Sequence, residues 1–212
     1  MTTRYQHIVI EGPIGAGKTS LAKKLALHLH AQTLFEAPEQ NPFLSHFYED
    51  PARYALATQL FFLTQRIDQI RNCHPLKQQS VSLVGDYLLE KDQLFAELTL
   101  SVSEFKLYKT LWNEMKPVVP TPDLVILLQA PADILAGRIA KRQISSETGI
   151  GIDYLQELNE AYDRFFHHYD AAPVLIVNAA HFNPIDNQED FSLLLSHMAN
   201  MKGRREFFNK QP

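Results

Sequence analysis

Gly12-Pro13-Ile14-Gly15-Ala16-Gly17-Lys18-Thr19, close to the N-terminus, limits this chain more than any other stretch. It satisfies G-x-x-x-x-G-K-[ST], the phosphate-binding P-loop, a pattern whose weight depends on its flanks. Here both flanks suit it. His7 to Ile10 reads as a short buried strand, and Ser20 to His30 as a helix with Leu21, Leu25 and Leu29 on one face. Glycines at 12, 15 and 17 allow backbone N–H groups to wrap a polyphosphate, and the helix N-terminus adds partial positive charge. Lys18 reaches for β- and γ-phosphates, the Thr19 hydroxyl suits Mg²⁺, and Ser20 completes the turn. A nucleoside triphosphate such as ATP, with magnesium, is the expected ligand of Gly12 to Ser20.

With 212 residues, 45% of them hydrophobic, the chain can bury a full core, and one domain with a small appended lid is expected. A net charge of −4 argues against a nucleic-acid partner. The single cysteine, Cys73, excludes an intramolecular disulfide and a cysteine-based metal cluster. The N-terminus runs straight into the first strand, so no signal peptide is expected. No apolar run approaches the roughly 18 residues of a membrane span. These features together predict a soluble cytoplasmic enzyme.

Apolar runs alternate with amphipathic helical stretches, the pattern of βαβ units and a parallel sheet. Strands are expected at 5–10, 32–36, 81–85, 124–128 and 173–178, and helices at 18–30, 51–72, 90–115, 131–142, 152–168 and 188–201. The predicted fold is a three-layer α/β P-loop fold, with a five-stranded parallel sheet, helices on both faces, and a short arginine-containing lid at about 138–150. Ligands in such sheets sit beyond the carboxyl ends of the strands. Glu36 and Asp86 end the second and third strands there. Either carboxylate could take a hydroxyl proton or serve Mg²⁺. A lone acid would more often be a helix cap; two at equivalent edges beside a P-loop favour function.

Gln59 and Arg66 lie seven residues apart on one face of an apolar helix. If buried they need polar partners, and Gln59 offers both a donor and an acceptor to a base edge. Arg138 and Arg142, four residues apart before a polar segment with Gly149, suit a lid closing on transferred phosphates. The adjacent His167 and His168 diverge by about 100° on a helix and do not converge on one metal ion. The 202–212 tail is polar and basic, with Phe207-Phe208 as its apolar pair.

With these pieces assembled, the chain resembles the deoxynucleoside kinase family, in particular its bacterial deoxyadenosine, deoxyguanosine or deoxycytidine kinase branch. The likeness runs from the first strand to about residue 195. Glu36-Ala37-Pro38-Glu39-Gln40-Asn41-Pro42-Phe43 resembles the family segment beginning Glu-Pro-Val, which implies that Glu36 is the base for a 5′-hydroxyl. Tyr48 stands eleven residues before Gln59, as does the family tyrosine on the sugar 3′-hydroxyl. Gln59 and Arg66 match the base-reading pair. Asp86 to Ala96 resembles the Asp-Arg-Ser segment, implying Asp86 for Mg²⁺, Asp92 paired with Arg66, and Phe95 as a pocket wall. Arg138 and Arg142 match lid arginines, Glu147 a second 3′-hydroxyl ligand, and Gln188-Glu189-Asp190-Phe191 the late loop beside the donor adenine. The sequence departs in two places. Tyr87 replaces the arginine of Asp-Arg-Ser, and Ile144 stands where a third lid arginine often occurs. Arg142, Lys91 or magnesium could supply the missing charge.

The reaction these residues imply is transfer of the ATP γ-phosphate to the 5′-hydroxyl of a deoxyribonucleoside in salvage. Glu36 would act as base, with Lys18, Arg138 and Arg142 offsetting charge. Arg66, Asp92 and Gln59 favour a purine, with deoxycytidine open and thymidine least suited. Two other classes compete: a thymidylate kinase-like nucleoside monophosphate kinase, and a non-catalytic nucleotide-binding regulator. The candidate acceptor site offers Glu36, Glu39 and Tyr48 rather than clustered arginines, which counts against the first; a retained Glu36 counts against the second. The resemblance also implies a homodimer through helices 51–72 and 90–115.

Overall fold

The computed structural model describes residues 4–73, 81–144, 147 and 149–210. Ser145, Ser146 and Thr148 of the expected lid, and Gln211 and Pro212 of the tail, lie outside that set. The chain runs β1 (His7–Glu11), α1 (Lys18–Leu29), β2 (Gln32–Leu34), a 3₁₀ turn (Pro38–Gln40), α2 (Leu44–Glu49) and α3 (Pro51–Asn72). It continues through β3 (Leu83–Gly85), α4 (Lys91–Thr99), α5 (Val102–Met115), β4 (Leu124–Gln129) and α6 (Ala132–Arg142). The last elements are α7 (Ile152–His168), β5 (Val174–Asn178), α8 (Gln188–Asn200) and β6 (Arg205–Phe208).

All strand pairs are parallel, in the order β2-β3-β1-β4-β5-β6. Strands covered on both faces need apolar residues at successive positions, and Leu124 to Leu128 are accordingly all buried. The pleat then divides them. Ile8, Ile10, Ile126 and Leu128 pack with Leu21 and Leu25 of α1, Leu135 of α6 and Leu194 of α8. Val9, Val125 and Leu127 meet Leu94 of α4 and Leu158, Tyr162 and Phe166 of α7. A further cluster joins Leu63, Ile67 and Ile70 of α3 to Tyr108 and Trp112 of α5. No helix among the described residues is long and apolar enough to cross a membrane.

The sheet has six strands rather than five. The extra strand comes from the tail, where Glu206 accepts from the N–H groups of Lys202 and Gly203 at 2.7 Å each and turns the chain. Val174 N–H then donates to Arg204 O at 2.8 Å, and Phe208 packs edge-on against Phe182. Four residues carry too short an alternation to announce a strand, and the pairing needs β5 beside it.

The expected helix 90–115 is two helices. Leu100 is extended, and Ser101 starts α5 with a capping box: Glu104 N–H donates to its hydroxyl, and its own N–H donates to Glu104 Oε2 at 3.0 Å. Ser-x-x-Glu was legible at 101–104, but apolar residues at helical spacing on both sides of it, Leu94, Leu98, Val102 and Phe105, masked the break. Ser101→Ala is expected to cost about 1 kcal/mol, read as a lower denaturant midpoint at unchanged slope.

Candidate active site

The loop from Gly12 to Gly17 leaves β1 with positive φ at Gly12 (145°), Gly15 (84°) and Gly17 (97°). At Gly12 a side chain would strike the Leu128 carbonyl, and at Gly15 its Cβ would stand 2.9 Å from Leu135 O, so α6 lies directly on the loop. Lys18 Nζ donates to Pro13 O at 3.1 Å. Burial, then the neighbouring charge of Lys91, push the Lys18 ammonium down to about 8. It is still protonated at neutral pH.

Thr19 opens α1 and Asp86 follows β3. The Thr19 hydroxyl donates to Asp86 Oδ2 at 2.5 Å, and Glu36 N–H donates to Asp86 Oδ1 at 2.8 Å. Asp86 thus binds the P-loop helix to the segment that follows β2. That bond also explains why β2 stops at Leu34 rather than 36, because the Glu36 N–H is directed to a side chain instead of a ladder carbonyl.

One pocket brings part of the expected donor and acceptor sets together; Gly12, Pro13, Ala16, Asp86 and Asp92 are not among its lining residues. Ile14, Gly15, Gly17, Lys18, Thr19 and Ser20 line one end. Glu36, Tyr48, Gln59, Arg66, Phe95, Arg142 and Glu147 line the other. At its floor lies a buried charge network. Arg66 on α3, 4% exposed, donates from Nε to Glu36 Oε1 at 2.9 Å and forms an ion pair with the fully buried Asp92 of α4. Asp92 also accepts from the Tyr108 hydroxyl of α5. Lys91 Nζ lies 3.4 Å from Glu36 Oε2. Burial alone would raise the Glu36 carboxyl; the charges of Arg66, Lys91 and Lys18 instead pull it down to about 2.

Tyr48 and Glu147 both line the acceptor end. Burial, then Tyr154 and Glu147, push the Tyr48 phenol well above its usual range. Arg142 grips Glu147 with two bonds, Nε to Oε2 at 2.7 Å and Nη2 to Oε1 at 2.6 Å. Arg138 turns elsewhere. It does not line this pocket, and its Nη2 donates to Ala179 O at 2.5 Å, at the end of β5.

Asp190 and Phe191 open α8 and are both 2% exposed. Asp190 accepts from Asn183 N–H at 2.8 Å and from Lys210 at 2.6 Å, and Phe191 stands edge-on to His28. They support the 183–187 loop, whose Ile185 would meet a Cβ at Gly17 at 2.8 Å. Tyr87, where an arginine was the family pattern, is buried; its hydroxyl donates to Gln69 at 2.8 Å, and its ring lies 5.8 Å from the Arg66 guanidinium and 6.0 Å from Lys91 Nζ. Ile144 is 43% exposed and lines no part of the pocket.

Sequence reasoning passed over Leu44, Phe47, Thr58, Phe62 and Tyr154, all of which line the pocket. Phe62 had a signal, since it lies between Gln59 and Arg66 on their helix face. Tyr154 had none, for α7 joins the site only through the tertiary fold.

Comparison with known proteins gives the same picture. The family model for deoxynucleoside kinase matches residues 8–201. The deoxyguanosine kinase of Bacillus subtilis is 32% identical over 197 residues, covering 90% of this chain and 95% of that protein. The deoxyadenosine kinase of Lactobacillus acidophilus is also 32% identical, covering 86% and 89%. A structure of deoxyadenosine kinase from M. mycoides superposes with a TM-score of 0.78 at 24% identity, covering 92% of this chain and 99% of that one. With a P-loop, an edge carboxylate and an acceptor pocket in one cleft, and with relatives matched over nearly their whole length, this chain belongs to the deoxynucleoside kinase family.

Proposed function

We propose that the protein transfers the γ-phosphate of ATP, or another nucleoside triphosphate, to the 5′-hydroxyl of a purine deoxyribonucleoside, with deoxycytidine as a secondary acceptor, in nucleoside salvage. The observation that carries this reading is the pocket in which the P-loop lysine and the Glu36 carboxylate share one cleft with Gln59 and Arg66. The two relatives at 32% identity are kinases of deoxyguanosine and deoxyadenosine, which favours a purine, and a deoxyadenosine/deoxycytidine kinase of Bacillus subtilis at 26% identity keeps deoxycytidine as the second acceptor.

Glu36 orients the acceptor hydroxyl and takes its proton. A carboxyl held near 2 is ionised but weakly basic, so its larger contribution is orientation. That suits phosphoryl transfer, whose loose transition state needs the proton removed late and rewards positioning and charge. Lys18 offsets charge on the transferred group, Arg142 closes over the acceptor end, and Arg138 serves the donor side. Gly12, Pro13, Ile14, Gly15, Ala16, Gly17, Thr19 and Ser20 cradle the donor phosphates; Asp190 and Phe191 act on the donor base through the loop they support. Tyr48 and Glu147 hold the sugar 3′-hydroxyl, Gln59 and Arg66 read the base with Asp92 behind, and Phe95 walls the pocket.

Thr19 Oγ1 and Asp86 Oδ2 are hard oxygen donors 2.5 Å apart, and magnesium takes one or two such protein ligands while keeping water and phosphate oxygens. The residues therefore fit Mg²⁺, which supplies positive charge to the donor phosphates when bound.

A nucleoside monophosphate acceptor would need unspent positive charge. Among the described residues at the acceptor end, Arg66 already faces Glu36 and Asp92, and Arg142 faces Glu147. The Gln59 amide and the Arg66–Asp92 pair at the base end argue against a thymidine preference. We further place the enzyme in the cytoplasm as a homodimer packed through α3 and the α4–α5 pair, each copy one kinase domain whose lid spans about 138–150. The test is a phosphoryl-transfer assay with Mg·ATP against deoxyguanosine, deoxyadenosine, deoxycytidine, thymidine and their monophosphates. A purine deoxynucleoside with the highest kcat/KM is the expected result. Turnover of monophosphates alone would overturn the reading.

A further inference from the structure

Lys91 is the first residue of α4 and only 2% exposed, an unusual station for an ammonium. A cation at a helix N-terminus faces the positive end of the dipole, and a buried one has lost its hydration. Both costs need an offset, and two carboxylates provide it. Glu36 Oε2 is 3.4 Å from Nζ and Glu11 Oε1 is 3.8 Å away. Glu11, the last residue of β1, is itself fully buried and tightly held. Its Oε1 accepts from Leu88 N–H at 2.6 Å; its Oε2 accepts from Gly12 N–H and from the Tyr162 hydroxyl, each at 3.1 Å. One carboxylate thus ties the start of the P-loop, the segment after β3 and helix α7 to a single ammonium. Among the described residues, the second ion pair of that ammonium is with Glu36.

We propose that Lys91, anchored by Glu11, is a positioning residue for phosphoryl transfer: it fixes the Oε2 edge of Glu36 while Arg66 fixes the Oε1 edge. A carboxylate gripped at both oxygens keeps one orientation, and the remaining lone pairs face the pocket that Glu36 lines. With Arg66 alone the carboxylate could turn about its terminal torsion, which is broad. Glu11 is what makes Lys91 rigid, and it transmits the position of the P-loop to Glu36. The arrangement also places Lys91 as the cation beside the edge carboxylate, over the Tyr87 ring.

This inference rests on Glu36 being the acceptor-side carboxylate of a nucleoside kinase. The experiment compares wild type, Lys91→Arg and Lys91→Met in steady state with Mg·ATP saturating, alongside direct titration with deoxyguanosine. Lys91→Met is expected to lose about 100-fold in kcat, with nucleoside affinity within about threefold because the base and sugar contacts are untouched. Lys91→Arg keeps the charge and is expected to retain more than about a tenth of kcat. Should Lys91→Met fail to fold, Glu11→Gln with Lys91→Met removes both halves of the buried pair and is read in the same way. Wild-type kcat in either folded methionine variant overturns the proposal, as does an equal loss of kcat in Lys91→Arg. A wild-type protein inactive on every nucleoside overturns the kinase reading as well, so the two failures are distinct.

Discussion

Glu36→Gln is expected to lower kcat by about 10²- to 10⁴-fold, the range for losing a positioned proton acceptor, with ATP affinity preserved. Glutamine keeps the volume but brings an amide whose NH₂ must face either Arg66 or Lys91, and both of these are donors. The acceptor hydroxyl then loses the oxygen that orients it. Rapid-quench single turnover with the favoured nucleoside would measure the step directly; turnover within a few-fold of wild type would remove Glu36 from the chemistry. The same substitution has an acid signature. Folding lowers the Glu36 carboxyl from 4.5 to about 2, so its ionised form stabilises the fold above about pH 4.5, and that contribution fades as pH falls through 2. The stability gap between wild type and variant should therefore narrow steadily across that window, measured by urea midpoints at several pH values. A constant gap would mean that Glu36 gains nothing from its cations.

Arg66→Met is the substitution expected to damage the fold most, by about 3–5 kcal/mol. Arg66 is 4% exposed and spans the fully buried Asp92 and Glu36. Methionine fills similar space but leaves Asp92 with the Tyr108 hydroxyl as its remaining polar partner among the described residues. Lys91 offsets the charge of Glu36, not that of Asp92. An exposed pair would cost less than about 1 kcal/mol, so the size of the loss reports burial. Replacing Asp92 by leucine in the same chain should recover much of the stability, because the orphaned charge goes with it. Nucleoside binding should remain lost in both. Denaturant unfolding of the single and double variants, with nucleoside titration, decides the matter; a single-variant loss below about 1 kcal/mol would show the network to be dispensable.

Local sequence was enough wherever the physics was local. The glycine spacing of 12–17, the apolar run before it and the leucine period after it required a strand, a phosphate loop and a helix without reference to any distant residue. The same holds for the seven-residue spacing that put Gln59 and Arg66 on one face of α3, and for carboxylates at the ends of the second and third strand segments. Periodicity also gave the layers of the core. It could not divide α4 from α5, because the helical spacing of Leu94, Leu98, Val102 and Phe105 continues across Ser101 and only the cap geometry halts the helix there. Nor did it show β6, whose ladder partner is β5 and whose turn is closed by the Glu206 carboxylate.

What the tertiary structure alone decided is the pairing of charges. Glu11, Glu36, Arg66, Lys91 and Asp92 come from β1, the segment after β2, α3 and α4, and nothing in their spacing says which cation faces which carboxylate. Arg138 and Arg142 had equal standing in sequence, yet one donates to the Ala179 carbonyl and the other to Glu147. Secondary structure follows from hydrogen bonds and side-chain periods within a few residues. Electrostatic partners are chosen through space, by which ends of which strands the parallel sheet brings to one edge, and that choice exists only once the sheet has formed.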